Sequence, residues 1–176
     1  MKTSVIVNPC AGYGRTEKIW PNIEFALKQS IGSFQTEQTS CQGDAIHLTR
    51  HALESGATRI VAIGGDGHLN EVLNGFIEND VQLNSQATLS FVMTGTGCDF
   101  QRSLGVSGKW ESAVEKLKDA QVRQIDVGKA SYTAPEQTQQ IRYFINIASF
   151  GLSGAADHYI DNSSLGKYFG GTILYL

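Results

Sequence analysis

Asp66 stands between glycines in "IGGDGHLNEVLNG", residues 63–75, with an apolar run before it and apolar residues at helical spacing after it. Gly64, Gly65 and Gly67 would let main-chain amides approach an oligophosphate closely, because glycine tolerates dihedrals that a side chain forbids. A carboxylate repels phosphate. Asp66 therefore makes sense in such a loop if it acts through a metal-bound water, orients a hydroxyl, or holds the loop itself. A lone loop of this kind is equally well a tight turn capping a helix. Two more glycine-rich stretches, "NPCAGYGR" at 8–15 and "TGTGCDFQRSLG" at 94–105, also follow short apolar runs, and three such loops weigh far more than one. None fits the GxxxxGK[ST] phosphate loop or an uninterrupted GxGxxG, which argues against a Walker-type NTPase and a dinucleotide dehydrogenase.

The elements that must carry these loops are legible as alternating strands and helices. "SVIV" (4–7), "RIVAI" (59–63) and "LSFVM" (89–93) are continuous apolar runs, the pattern of strands buried on both faces. Helical stripes run through Ile19, Ile23 and Leu27, through Leu69, Val72, Leu73 and Phe76, and through Trp110, Val114 and Leu117. Asp44, after Gly43, is the expected N-cap of a helix reaching Leu53, and Ser107 that of a helix reaching Lys118. The alternation predicts an α/β fold of three layers, a mostly parallel sheet with helices on both faces. In such sheets ligands bind beyond the carboxyl ends of the strands, where loops lead into helix N-termini. Past Val122 the texture changes: "VRQIDVGKASYT" and "QQIRYFINIASFGL" predict two strands about a polar linker containing Pro135.

Composition narrows the function classes. The 176 residues suit one domain, and a net charge of -3 without a basic cluster argues against nucleic acid as a partner. No apolar run is long enough to span a bilayer, and "MKTSVIVNPC" lacks the apolar core of a secretory leader, so a cytoplasmic location is expected. Cys10, Cys41 and Cys98 are too scattered for a disulfide scaffold. If the loops converge, these thiols lie near one site, and a Cys/His metal or redox module including His68 is an alternative of a different class. Their position near helix N-termini predicts at least one reactive thiol.

The blocks "NPCAGYGR", "TSCQGDA", "GGDGHLNEVLNG", "GTGCDFQRSLG", "IDVG" and "YFINIASFG", in this order, resemble the catalytic domain of the diacylglycerol kinase family, which includes bacterial lipid kinases and sphingosine kinases. The resemblance spans nearly the whole chain. It implies a nucleotide-binding N-terminal domain similar to those of NAD kinases and phosphofructokinases, and a lipid kinase that uses ATP and Mg2+ to phosphorylate a lipid hydroxyl in phospholipid biosynthesis. It also implies that Thr39 contacts the nucleotide, that Gly64, Gly65, Asp66, Gly67, His68, Leu69 and Asn70 wrap the phosphates, and that Thr96 adds a hydroxyl. Asp66 is the catalytic candidate, Asn8 and Arg15 are lesser ones, and Asp126 could join a carboxylate-water-magnesium network or simply close a strand.

Departures from the family pattern are His68 for a usual threonine, Cys98 for a usual asparagine and Met93 for a usual proline. Family members continue into a β-rich second domain that carries the base and principal magnesium ligands, so no metal ligand is assigned in this chain. Residues 1–176 are expected to be the nucleotide-binding domain, with 122–176 leading toward that second domain and the chain inactive alone. The aromatic tail "KYFGGTILYL" could pack in the core, on that domain, on a second copy or on a membrane surface. Alternative functions are a kinase of another small molecule, such as NAD, and a non-catalytic nucleotide sensor.

Overall fold

The computed structural model describes residues 1–106 and 108–148; the expected Ser107 cap and the tail from residue 149 lie outside the described residues. In chain order the elements are β1 (Thr3–Val7), α1 (Ala11–Ile31), β2 (Gln35–Gln38), α2 (Asp44–Glu54), β3 (Arg59–Gly64), α3 (Asp66–Phe76), β4 (Ile77–Glu78), β5 (Val81–Gln82), β6 (Thr88–Met93), α4 (Asp99–Ser103), α5 (Trp110–Lys116), β7 (Gly128–Thr133) and β8 (Gln139–Phe144).

Four strands form a parallel sheet in the order β2-β1-β3-β6, with Val5 opposite Val61 and Ile63 opposite Val92. Every residue of β1 and β3 is buried. Successive side chains leave a strand on opposite faces, which sorts the core into two layers. On one face Val5, Val7, Val61, Ile63 and Val92 pack against Trp20, Ile23 and Leu27 of α1 and against Val114 and Leu117. On the other, Ile6, Ile60, Ala62 and Met93 meet Ala45 and Leu53 of α2, Leu69, Val72 and Phe76 of α3, and Phe100. The expected three-layer α/β fold is what the chain adopts. Burying each Ile, Val or Leu contributes about 1.5–3 kcal/mol, so the two central strands dominate the sheet's stability. The edge strand β2, "QTEQ", is mostly exposed and contributes little apolar burial.

Three local expectations are corrected. Gly43, with φ 91°, occupies the N-cap of α2, a left-handed conformation that suits glycine. The Asp44 carboxylate turns back instead, accepting from Ser40 N–H at 2.7 Å, Ser40 Oγ at 2.6 Å and Cys41 N–H at 3.0 Å. Helix α5 stops at Lys116, two residues short of Lys118. The predicted terminal strands do form an antiparallel hairpin, but its first strand starts at Gly128, after an irregular stretch in which Ile125 and Asp126 are exposed.

Two contacts fix the helices on their layers. A Cβ on Gly75 would lie 2.5 Å from Thr49 Cβ and 2.7 Å from the Ile46 carbonyl, so only glycine lets α3 close onto α2. The buried Arg59, at the start of β3, donates from Nη2 to the Leu117 carbonyl at 3.0 Å, placing a cation at the C-terminus of α5.

Candidate functional site

The loops that leave β1, β3 and β6 meet at the carboxyl edge of the sheet. Each is built from residues that permit main-chain approach. After β1, within the first turn of the span given as α1, Gly12, Tyr13 and Gly14 break the helix with positive φ, at 62°, 58° and 79°. A Cβ on Gly12 would lie 2.7 Å from the Thr94 carbonyl, so the first loop rests directly on the third. Arg15 Nη2 donates to that same carbonyl at 2.9 Å, and Thr16 and Thr94 hydroxyls are 2.6 Å apart. The second and third loops cross at Gly65 and Gly95, where a Cβ on Gly95 would come within 2.6 Å of the Gly65 Cα.

Beside these crossings lies an open cleft of about 340 Å³. Asn8, Ala11 and Gly12 line it from the first loop, Gly65, Asp66, Gly67 and His68 from the second, and Gly95, Thr96 and Gly97 from the third. The first main-chain hydrogen bond of α3 runs from Leu69 N–H to the Gly65 carbonyl, so the amides ahead of it have no intrahelical partner. With the helix dipole behind them, they favour an anion in the cleft. A Cβ on Gly67 would meet nothing within 4 Å, so the cleft is open there.

Asp66 bridges loops. Its Oδ1 accepts from Phe100 N–H at 3.0 Å and its Oδ2 from Asp99 N–H at 3.2 Å, which caps the short helix α4 from outside. The carboxylates of Asp66 and Asp99 both approach Gly97, whose Cβ would lie 3.1 and 3.3 Å from their Oδ2 atoms.

Of the residues expected to surround a ligand, Gly65, Asp66, Gly67, His68 and Thr96 line the cleft, and Thr39, Gly64, Leu69 and Asn70 do not. Thr39 N–H continues the β1–β2 ladder to the Val7 carbonyl at 2.9 Å. Gly64 ends β3, and its carbonyl accepts from Thr94 and Gly95 N–H. Leu69 is a core residue with 2 % exposure. The Asn70 amide points away, donating to the Tyr143 carbonyl at 2.9 Å. The His68 ring is buried, with Nε2 3.0 Å from the Ile6 carbonyl; a carbonyl only accepts, so Nε2 carries the hydrogen. Burial pushes the His68 pKa down, against smaller upward pulls from the Ile6 bond and the Glu71 charge. Imidazole at this position therefore stays neutral and joins α3 to β1.

Glu71 likewise faces the scaffold, accepting from Gly43 N–H at 3.0 Å across to the start of α2. The sequence missed these roles because each partner is remote along the chain. It also passed over Gly12 and Gly95, although glycines in matching loops were the available signal.

Two of the three cysteines border the cleft: Cys10 adjoins Ala11, and Cys98, next to Gly97, lies with its Sγ 3.3 Å from the Gly95 carbonyl, whereas Cys41 turns to Asp44. None of the three is among the residues that line it. The Asp44 carboxylate, 3.2 Å from Cys41 Sγ, raises that thiol's pKa through its hydrogen bond and charge, and burial raises that of Cys98. Among the described residues no three His, Cys, Asp or Glu side chains are grouped to hold a metal, and the His68 ring is committed to Ile6. Also among the described residues, no helix is long and apolar enough to cross a membrane.

Residues 2–130 match the family model described as the diacylglycerol kinase catalytic domain. A curated diacylglycerol kinase of Bacillus subtilis (strain 168) is 31% identical over 151 residues, covering 85% of this chain and 46% of that protein. One from Staphylococcus carnosus (strain TM300) is 28% identical over 176 residues, covering 99% of this chain and 52% of its own length. A solved diacylglycerol kinase structure from Bacillus anthracis str. Sterne superposes with a TM-score of 0.66 at 26% identity, covering 93% of this chain and 54% of that one. The chain thus spans about half the length of the curated relatives it matches. With more than half its residues matched by the model and its glycine loops meeting in one cleft, the chain belongs to the diacylglycerol kinase catalytic domain family.

Proposed function

We propose that this chain is the ATP-binding part of a lipid kinase that transfers the γ-phosphoryl group of ATP to the hydroxyl of diacylglycerol or a similar lipid. The observation that carries the reading is the convergence of three glycine-rich loops on one cleft with unpaired amides at the start of α3. Phosphoryl transfer needs positioning and charge neutralisation more than covalent help, and a main-chain cradle supplies the first. Gly12, Gly65 and Gly95 let the loops that form the cradle lie directly against one another. Thr96, exposed at its rim, offers a hydroxyl to a phosphate oxygen.

Magnesium in kinases is held by one or two carboxylates together with the substrate's phosphates, and it neutralises charge on the transferring group. Among the described residues Asp66 is the carboxylate that lines the cleft, and it would reach such an ion through a bound water. The base that takes the lipid's proton is expected in the part of the longer relatives that lies beyond the residues matched here. The lipid acceptor would bring the intact protein to a membrane surface.

Mg-ATP should raise the chain's unfolding temperature, increasingly with nucleotide concentration, while the chain alone should phosphorylate no lipid. Absence of any Mg-ATP response at millimolar nucleotide would reject the reading. A larger response to NAD than to other nucleotides would favour the related reading of a kinase for another small molecule.

A further inference from the structure

Tyr143 is gripped by both its main chain and its side chain. Its N–H donates to Asn74 Oδ1 at 2.9 Å, and its carbonyl accepts from Asn74 Nδ2 and from Asn70 Nδ2, each at 2.9 Å. One side-chain amide thus makes the paired bonds that a neighbouring strand would make with β8. The phenol donates to Asp80 Oδ1 at 2.8 Å and accepts from Asp80 N–H at 2.9 Å. Lys129, opposite Tyr143 in the hairpin, pairs with Asp80 at 2.7 Å. The β7–β8 hairpin joins no strand of the four-stranded sheet, so these bonds do much to hold it in place.

Asn70 and Asn74 lie one turn apart on α3, on the flank that receives β8. The same helix begins at the cleft: at 1.5 Å per residue, Asn70 is about 6 Å along the axis from Asp66. The first turn and both asparagines belong to one continuous helix. An anion that fixes the amides of its first turn restrains the two asparagines, and loosening the asparagines releases the first turn.

We propose that Asn70 and Asn74 are positioning residues that couple occupation of the cleft to docking of the β7–β8 hairpin. The inference rests on the nucleotide reading above, and it makes the coupling reciprocal: nucleotide tightens the hairpin, and a docked hairpin tightens nucleotide. His68 and Glu71 anchor α3 to the sheet and to α2, and the asparagines add its link to the hairpin, Asn74 Nδ2 also reaching back to the Asn70 carbonyl at 2.8 Å.

The test is amide hydrogen exchange on the unmodified chain, with and without saturating Mg-ATP, combined with Mg-ATP titration of Asn74→Ala and Asn74→Asp. Nucleotide should slow exchange at the Tyr143 amide about fivefold or more, the lower end of ordinary coupling between sites. Asn74→Ala should abolish that protection and weaken Mg-ATP binding about fivefold, and Asn74→Asp, which keeps the acceptor for Tyr143 N–H, should fall between. A purely structural asparagine would lower the unfolding temperature and leave the affinity of the folded protein unchanged. That result, or hairpin exchange in the unmodified chain that ignores bound nucleotide, overturns the coupling alone. No Mg-ATP binding by the unmodified chain overturns the nucleotide reading and the coupling together. Should the variants not fold, the exchange comparison on the unmodified chain decides.

Discussion

Gly95 crosses over Gly65 with no room for a methyl group between the two loops: a Cβ on Gly95 would sit 2.6 Å from the Gly65 Cα, and one on Gly65 would sit 3.4 Å from the Gly95 Cα. The asymmetry makes a prediction. Gly95→Ala should destabilise the chain by about 1–3 kcal/mol, because both obstructing groups are main chain and must shift. It should also blunt the Mg-ATP thermal response. Gly65→Ala should cost less on both counts. Denaturant unfolding of the two variants beside the unmodified chain checks the order.

Asp66 supplies the two acceptors that satisfy the first amides of α4. Asp66→Ala should cost about 1 kcal/mol, the ordinary value of a lost cap, and Asp66→Asn less, since one oxygen remains. Both variants should still fold. In a complete enzyme containing this domain, Asp66→Ala should abolish lipid phosphorylation; substantial retained turnover would remove Asp66 from the chemistry.

His68 makes stability depend on pH. Burial lowers its folded pKa below the ordinary value of about 6.5, so in mild acid the unfolded chain takes up the proton first. Stability is unaffected by this group above that value and falls as the pH drops from it toward the lower folded pKa. His68→Thr has no ring to protonate. Its unfolding temperature should therefore fall less than that of the unmodified chain between pH 7.5 and pH 5 in otherwise identical buffers.

The thiols should react in an order set by their surroundings. Cys41 is held protonated by the Asp44 carboxylate and Cys98 by burial, and the thiolate is the species that alkylates. Cys10 is exposed and adjoins Ala11, which lines the cleft. Alkylation at pH 8, followed peptide by peptide, should modify Cys10 first. Saturating Mg-ATP should slow Cys10 more than Cys41; equal rates for both, with and without nucleotide, would contradict the placement of the first loop.

The sequence announces the central strands because Val5, Ile6, Val61 and Ile63 are apolar on both faces. It is silent on β2, whose "QTEQ" earns its place through main-chain pairing with β1. The three loops were legible by glycine content, and their meeting by the rule that parallel sheets open at one edge. The individual side chains of "GGDGHLNEV" were not. Resemblance assigns them together to a ligand, whereas a helix has several faces, and only the first turn of this one reaches the cleft. His68, Asn70 and Glu71 face Ile6, Tyr143 and Gly43, and no local pattern identifies partners so far along the chain. Asp44 misled for a simpler reason: its preference for capping was outweighed by a left-handed Gly43 next to it.

The strand order β2-β1-β3-β6 has a consequence for the chain as it is made. The first apolar strand to be synthesised must wait for Arg59–Gly64 before it gains its second neighbour, and Arg59–Gly64 must wait in turn for Thr88–Met93. Such distant pairings close slowly, since chain entropy is lost before contacts repay it. A nascent chain that stalls before Met93 would display the unpaired, mostly apolar edge of β3, a template for aggregation, and would lack the third wall of the cleft.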